Sequence, residues 1–160
     1  MAKKDPALYH ILATIPGSDS KLHLTSVDPI SRLFCVDSYN CAQNEKFYLL
    51  LTNDCSSNYI CNKEFETGVL TVIPNDHPDQ LSAPLTVRME PKDASKCQTF
   101  LILSPSGSSQ LSATTGDLVM IQSTDQRYTL VPGQDYVKAY HSDAVDNPYL
   151  FSMDQLNDNT

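Results

Sequence analysis

The side chains best suited to chemistry are histidine, cysteine and serine, and none of them forms a recognisable catalytic motif. Ser106-Gly107 lacks the G-x-S-x-G surroundings of a nucleophile elbow. No H-E-x-x-H occurs, and the five glycines form no phosphate-binding or dinucleotide-binding loop. The histidines share no common spacing; they are His10, His23, His77 and His141. The sequence therefore predicts no catalytic residue, no cofactor and no enzyme activity.

The cysteines also lack the spacing of a metal-binding site. Zinc sites commonly need a C-x₂₋₄-C pair, and the chain contains none, so no metal site is expected. Because there are five cysteines, at least one must stay unpaired within the chain. Reduced thiols are the expectation, although two pairs have the spacing of small disulfide loops, Cys35/Cys41 and Cys55/Cys61.

The charge balance excludes two classes of partner. With 11 basic and 19 acidic residues the formal net charge is −8. Nucleic acids and anionic membrane surfaces both require clustered Lys and Arg, which are scattered here. No apolar run approaches the ~20 residues of a membrane span, and no apolar signal segment follows the charged start. We expect a cytoplasmic or leaderless-secreted protein.

The elements that must position any functional group are strands in a repeating pattern. Aromatic-led apolar runs begin at Phe47, Phe100 and Tyr149, in steps of 53 and 49 residues. Such a period indicates small units that share one core. We expect units over about 7–54, 55–105 and 106–156 in one domain, 1–160. For the third unit, strands are expected at 110–113, 118–121, 128–131 and the Tyr149 run.

The class is all-β, because ten prolines and many Ser, Thr, Asn and Asp residues interrupt any helical period. A β-sandwich also has short, evenly spaced strands, but it gives no reason for a three-fold repeat. This pattern of four strands in each of three units resembles the β-trefoil, a six-stranded barrel capped by three hairpins. That resemblance rests on spacing and strand order, and covers most of the chain.

The resemblance implies a binding protein, because few β-trefoil proteins are enzymes and many are lectins, protease inhibitors or cytokines. Mushroom β-trefoil protease inhibitors are similar in size and acidity. An inhibitory loop must be stiff and exposed, since preorganisation lowers the ordering cost of binding. Proline fixes φ, and Arg suits an acidic specificity pocket. The inhibitory-loop candidates are Pro29, Ile30, Ser31 and Arg32.

A second loop candidate is Asn62, which begins a turn predicted over 62–66. Mushroom relatives that inhibit legumain use an asparagine in a loop of this unit, so the resemblance implies a protease partner at this loop as well.

Two other binding functions remain open. A lectin would need aromatic faces and carboxylates, and the chain has no tryptophan for the Q-x-W signature of ricin-type lectins. Its glycan-binding candidates are Tyr136, Tyr140 and Asp143. An interleukin-1-like cytokine is a further alternative, and it would need a broad, partly apolar exposed patch.

The inhibitor hypothesis predicts tight trypsin inhibition that Arg32→Ala abolishes without loss of the fold. Residual trypsin activity and circular dichroism of both proteins check this. The hypothesis is wrong if the protein at micromolar concentration inhibits none of trypsin, papain and legumain.

Overall fold

The computed structural model describes residues 7–14, 21–26, 33–36, 45–54, 56–73, 83–105, 118–133 and 136–156. Twelve strands lie in this part of the chain. They are β1 (Tyr9–Thr14), β2 (Lys21–Ser26), β3 (Leu33–Val36), β4 (Phe47–Leu51), β5 (Asn58–Asn62), β6 (Gly68–Ile73), β7 (Leu85–Pro91), β8 (Phe100–Leu103), β9 (Leu118–Ser123), β10 (Tyr128–Pro132), β11 (Val137–His141) and β12 (Phe151–Gln155). A short 3₁₀ turn, Ser142–Ala144, follows β11.

Six of the strands form a closed antiparallel barrel. Around the ring, β1 pairs with β4, β4 with β5, and β5 with β8. The ring continues from β8 to β9 and β12, and β12 returns to β1. The barrel therefore uses the first and fourth strand of each predicted unit, and closure leaves these strands without an open edge.

The other six strands form three hairpins, β2–β3, β6–β7 and β10–β11. Each hairpin joins the barrel where its first strand pairs with β1, β5 or β9. β11 also pairs with β7 through Lys138 opposite Thr86 and Ala139 opposite Leu85. This is the architecture that the repeats predicted.

The strand β7 illustrates how the sequence specifies these elements. Leu85, Val87 and Met89 are buried and alternate with half-buried polar residues. A period of two places alternate side chains on opposite faces of a strand, so one face enters the core and the other faces solvent. The alternation of apolar and polar residues over 85–89 predicts a strand from the sequence alone, and the structure confirms it.

Three phenylalanines mark the three-fold repeat of the core. Phe47, Phe100 and Phe151 begin β4, β8 and β12, and each is 0 % exposed. All three belong to one cluster of buried side chains. Since a fully buried phenylalanine contributes about 1.5–3 kcal/mol, this shared burial joins three units that are too small to fold separately.

The third repeat is displaced by two residues from its predicted position. Tyr149 is half-buried and precedes the strand, which begins at Phe151. The amide of Tyr149 donates to Asn147 Oδ1 at 3.3 Å, and the amide of Leu150 donates to the Pro148 carbonyl at 3.0 Å. The turn made by these bonds delays the strand, so the aromatic steps are 53 and 51 residues.

The strand assignment in the third unit is also corrected. Segment 118–121 belongs to β9, the first strand of the unit by its pairing with β8 and β12, and 128–131 belongs to β10, the second. The third strand, β11, was missed because its sequence, VKAYH, is only weakly apolar. The predicted strand at 110–113 lies outside the described residues.

Among the described residues, no helix is long and apolar enough to cross a bilayer.

We expect Phe151→Ala to lower the free energy of unfolding by about 3–5 kcal/mol, because it leaves a cavity in the shared core. Urea denaturation measures this loss. Tyr149→Ala is the matched control, and at this half-buried turn position we expect a smaller loss of about 1 kcal/mol. Equal losses for the two variants would contradict the corrected repeat.

Candidate functional site

The described cysteines are not poised as nucleophiles. Burial raises the pKa of the Cys61 and Cys97 thiols to about 11. A thiol must ionise to attack, and these two remain protonated near neutral pH. The side chains of the other three cysteines lie outside the described residues.

The predicted inhibitory segment also lies outside the described residues, since Pro29, Ile30, Ser31 and Arg32 fall between β2 and β3. Its geometry therefore contributes nothing to the site described below, and the inhibitory loop stays a prediction.

Asn62, the second loop candidate, is the last residue of β5 and is 0 % exposed. Its Oδ1 accepts hydrogen bonds from the amides of Glu64 at 3.0 Å and Phe65 at 3.2 Å. The predicted turn exists, but the asparagine holds it from inside. The expectation that this side chain is presented to a protease is corrected, because a buried side chain engaged in a turn does not reach a partner's cleft.

In the third unit, the residue at the position equivalent to Asn62 also holds a turn in place. Asn62 lies opposite Phe47, and Ser123 lies opposite Phe100. Ser123 is 1 % exposed, and its Oγ donates to Asp125 Oδ1 at 2.6 Å and accepts from the amide of Tyr128 at 3.0 Å. Both residues close the turn between the first two strands of their unit, which supports a structural role for Asn62.

The glycan-binding candidates do not converge on one point. Tyr136 precedes β11, Tyr140 lies within it opposite Thr129, and Asp143 follows in the 3₁₀ turn. Tyr136 and His141 stand at the two ends of the strand, about 16 Å apart at ~3.3 Å per residue. Tyr136 instead lines a cavity of about 200 Å³ between β7 and β11.

Asp143 lines a larger cavity of about 360 Å³ at the other end of β11. We call this site the polar corner, and its lining residues are Gln126, Arg127, His141, Ser142 and Asp143. It lies where the β9–β10 turn meets the chain leaving β11.

The turn that forms one wall of the polar corner is held in a fixed shape. Gln126 has a left-handed φ of 65°, a conformation that costs a non-glycine residue about 1–2 kcal/mol. The amide of Gln126 donates to the Ser123 carbonyl at 2.7 Å, and the amide of Arg127 donates to Asp125 Oδ1 at 3.1 Å. These bonds offset the strain and place Gln126 and Arg127 at the surface.

The floor of the polar corner is a hydrogen-bonded network around Ser142. Its Oγ donates to the Gln126 carbonyl at 2.7 Å, and its amide donates to the Arg127 carbonyl at 2.9 Å. Gln122 Nε2 donates to Ser142 Oγ at 3.1 Å and to Thr129 Oγ1 at 3.2 Å. Since these bonds join β9, β10 and the 3₁₀ turn, the corner is formed before any ligand arrives.

The adjacent residues His141, Ser142 and Asp143 do not act as a catalytic triad in this geometry. A nucleophilic serine must share its proton with an imidazole base. Ser142 gives its hydroxyl proton to a backbone carbonyl. The corner therefore presents binding groups: an exposed guanidinium from Arg127, an exposed carboxylate from Asp143 and an imidazole from His141.

One aromatic ring, that of Tyr128, packs against two of these groups. The Tyr128 ring centroid is 5.2 Å from that of His141 and 5.4 Å from Arg127 Cζ. Because Tyr128 is buried, its ring supports these two groups from within the protein. The flat face that the corner offers to a ligand is the half-buried imidazole of His141, which lies beside hydrogen-bonding groups as a ligand with one apolar face and several hydroxyl groups requires.

The corresponding corner of the second unit is arranged differently. Met89 in β7 and Ala139 in β11 occupy equivalent, fully buried positions. Asp93 and Asp143 each come four residues later, so Asp93 is the counterpart of Asp143. Asp93 Oδ1 accepts from the amide and hydroxyl of Ser95 at 3.0 and 2.7 Å. Its own amide donates to Gln98 Oε1 at 2.8 Å. The carboxylate there is used within its own loop.

The sequence alone did not point to Gln98, because the Q-x-W lectin signature requires a tryptophan. Gln98-Thr99-Phe100 places glutamine two residues before the core aromatic, so the pattern is Q-x-F. The side chain is 3 % exposed, and Nε2 donates to the Pro91 carbonyl at 2.9 Å and to Thr71 Oγ1 at 3.1 Å. It ties the chain that enters β8 to the β6–β7 hairpin.

Comparison with known proteins agrees with this geometry at the level of the fold. Neither a protein-family model nor a curated protein matches the sequence. The Rhizoctonia solani agglutinin structure matches with a TM-score of 0.62 at 13 % identity, covering 98 % of this chain and 99 % of that one. The fold is a β-trefoil.

Two further structures show the same β-trefoil fold. ThreeFoil, a designed three-fold symmetric protein, matches with a TM-score of 0.61 at 12 % identity over 94 % of this chain and 98 % of its own. A mosquitocidal holotoxin matches with a TM-score of 0.66 at 11 % identity over 97 % of this chain. This chain spans only 18 % of the holotoxin chain. At these identities the likeness shows the fold alone.

We expect Asn62→Ala to lower the free energy of unfolding by about 1–2 kcal/mol, because it leaves two turn amides without their acceptor. Chemical denaturation measures the change. Asn53→Ala, at an exposed turn position, is the control and should change stability by less than about 0.5 kcal/mol. If Asn62→Ala is as mild as the control, the anchoring role is wrong.

Proposed function

We propose that this β-trefoil is a non-enzymatic binding protein that recognises a carbohydrate through the polar corner. The observation that supports this is the preformed network around Ser142, which presents Arg127, His141 and Asp143 together. Arg127 and His141 are also packed against the buried ring of Tyr128. A ligand entering such a site meets little ordering cost, because the protein groups are already in place.

The chemistry of the corner suits sugar hydroxyl groups. A hydroxyl can donate to a carboxylate and accept from a guanidinium, and bonds to charged groups contribute about 1.5–3 kcal/mol. A fungal agglutinin with the same fold over nearly the whole chain supports this choice of ligand class. Of the residues predicted for glycan binding, Asp143 lines this site, Tyr140 neighbours it, and Tyr136 lies at the other cavity.

The protease-inhibitor function remains the second proposal, with a protease as its partner. Its support is the sequence of the segment ending at Arg32, where a proline precedes a basic residue that suits an acidic specificity pocket. This segment and the polar corner are separate in the sequence, so the two functions are tested by different substitutions.

The cytokine alternative gains no support from the described surface. Among the described residues, the large hydrophobic side chains that are exposed are Leu51 and Leu118. They lie on β4 and β9, strands that do not pair with each other, and do not amount to the broad apolar patch that this function needs.

A glycan array followed by calorimetry with the best-bound glycan tests the carbohydrate proposal. We expect Asp143→Asn to weaken binding at least tenfold, equivalent to about 1.4 kcal/mol, because one acceptor is replaced by an amide. Asp146→Asn is the matched control, since Asp146 is an exposed carboxylate outside the polar corner, and it should leave affinity unchanged.

The proposal is contradicted if no glycan binds, or if the two aspartate variants bind alike. Trypsin inhibition that depends on Arg32 in the absence of glycan binding would favour the inhibitor function.

A further inference from the structure

Five ionisable side chains lie near one another on β1 and on the segments packed beside it, close enough for four of them to influence the charge of the fifth, His10. We call them the histidine cluster: His10, His23, Glu45, Lys46 and Asp154. His10 lies opposite Asp154 in the β1–β12 pair, and His23 comes from the adjacent β2. Glu45 and Lys46 immediately precede β4, which also pairs with β1.

The two imidazoles are in direct contact. Their ring centroids are 5.3 Å apart with an interplanar angle of 85°, an edge-to-face arrangement. His10 is only 5 % exposed, and His23 is half-buried. An edge-to-face contact is favourable between neutral rings, whereas two imidazolium rings at this distance repel each other.

The surrounding charges do not remove that repulsion. Lys46 is 5 % exposed and adds a further cation next to His10, while Glu45, 1 % exposed, and half-buried Asp154 supply anions. Burial lowers the pKa of His10, and His23 and Lys46 lower it further, outweighing the opposite effect of Glu45 and Asp154. Folding therefore favours the neutral ring of His10 over the protonated ring.

We propose that the histidine cluster is an acid-sensitive device at the junction of β1 with β2 and with the segment that enters β4. It keeps these segments packed while His10 is neutral and loosens the junction when His10 is protonated. The junction matters because it joins the first hairpin to the barrel. β1 pairs with β2 through Leu12–His23, Ala13–Leu22 and Thr14–Lys21, and with β4 through Tyr9–Phe47. Asp154, opposite His10 on β12, attracts a protonated His10, so the repulsion acts on the β2 and β4 side of β1.

The direction of the effect follows from proton linkage. A histidine whose pKa is lowered by folding binds a proton more readily in the unfolded chain. Stability contributed by the neutral His10 is present above its ordinary pKa of about 6.5 and is lost as the pH falls below that value. Carboxylate titrations such as that of Asp54, whose pKa is held at about 2 by bonds from Thr52 and Ser56, affect a lower pH range.

Thermal unfolding at about pH 7.5 and pH 5.0 tests this, because histidine changes charge across that interval. We expect the midpoint of the wild-type protein to fall on acidification and His10→Gln to lose most of that fall. His23→Gln should lose a smaller part of it, because burial of His10 is the larger cause and the contact with His23 is the second. His141→Gln is the control, a half-buried histidine outside the cluster, and should keep the wild-type fall. Equal falls in all four proteins would overturn the proposal.

Hydrogen exchange of the unaltered protein gives an independent readout that does not depend on a variant folding. After correction for the intrinsic pH dependence, amides of Ala13 and Leu22, which are opposite each other in the β1–β2 pair, should lose protection at low pH. Amides of Leu49 and Ile60, in the β4–β5 pair, should keep theirs. Uniform loss over both strand pairs would overturn the assignment to this junction.

Discussion

The burial of one phenylalanine from each third of the chain is the constraint on which this structure depends. Phe47, Phe100 and Phe151 each begin the fourth strand of a unit, and each is fully buried in one core. A unit of four short strands cannot cover such a ring alone, so three units must close around the shared interior. Barrel closure then follows, including the return of β12 to β1.

This constraint fixes the barrel and leaves the connections free to differ. The turn anchor opposite the phenylalanine is Asn62 in the second unit and Ser123 in the third, with the same task performed by different chemistry. The aspartate after the hairpin is used within its loop in the second unit and lines an open cavity in the third. One backbone plan thus yields a closed corner and a candidate binding corner, which is why the fold does not determine the function.

The fold was predictable because its determinants are periodic. Aromatic runs at a constant interval and the alternation in β7 are visible without coordinates. The register of the third unit was not, since Pro148 and its turn displace the strand and β11 has little apolar character. These are local effects that override a repeat read along the chain.

The candidate site was only partly predictable. Asp143 was identified from its aromatic and acidic surroundings, but Gln126 and Arg127 come from a turn distant in sequence, and only the folded chain brings them to Asp143. Asn62 appeared to be a loop residue, although the pairing register buries it opposite Phe47. Sequence shows which side chains are available; the pairing of strands decides which of them face one another.

The most direct test of the shared-core account is a nuclear Overhauser spectrum of the folded protein that probes the strand pairs leading from each phenylalanine. The account predicts three equivalent cross-strand contacts, between Tyr9 and Phe47, Asn58 and Phe100, and Val119 and Phe151. Their absence, or contacts that divide the strands into two separate stacked sheets, would contradict it.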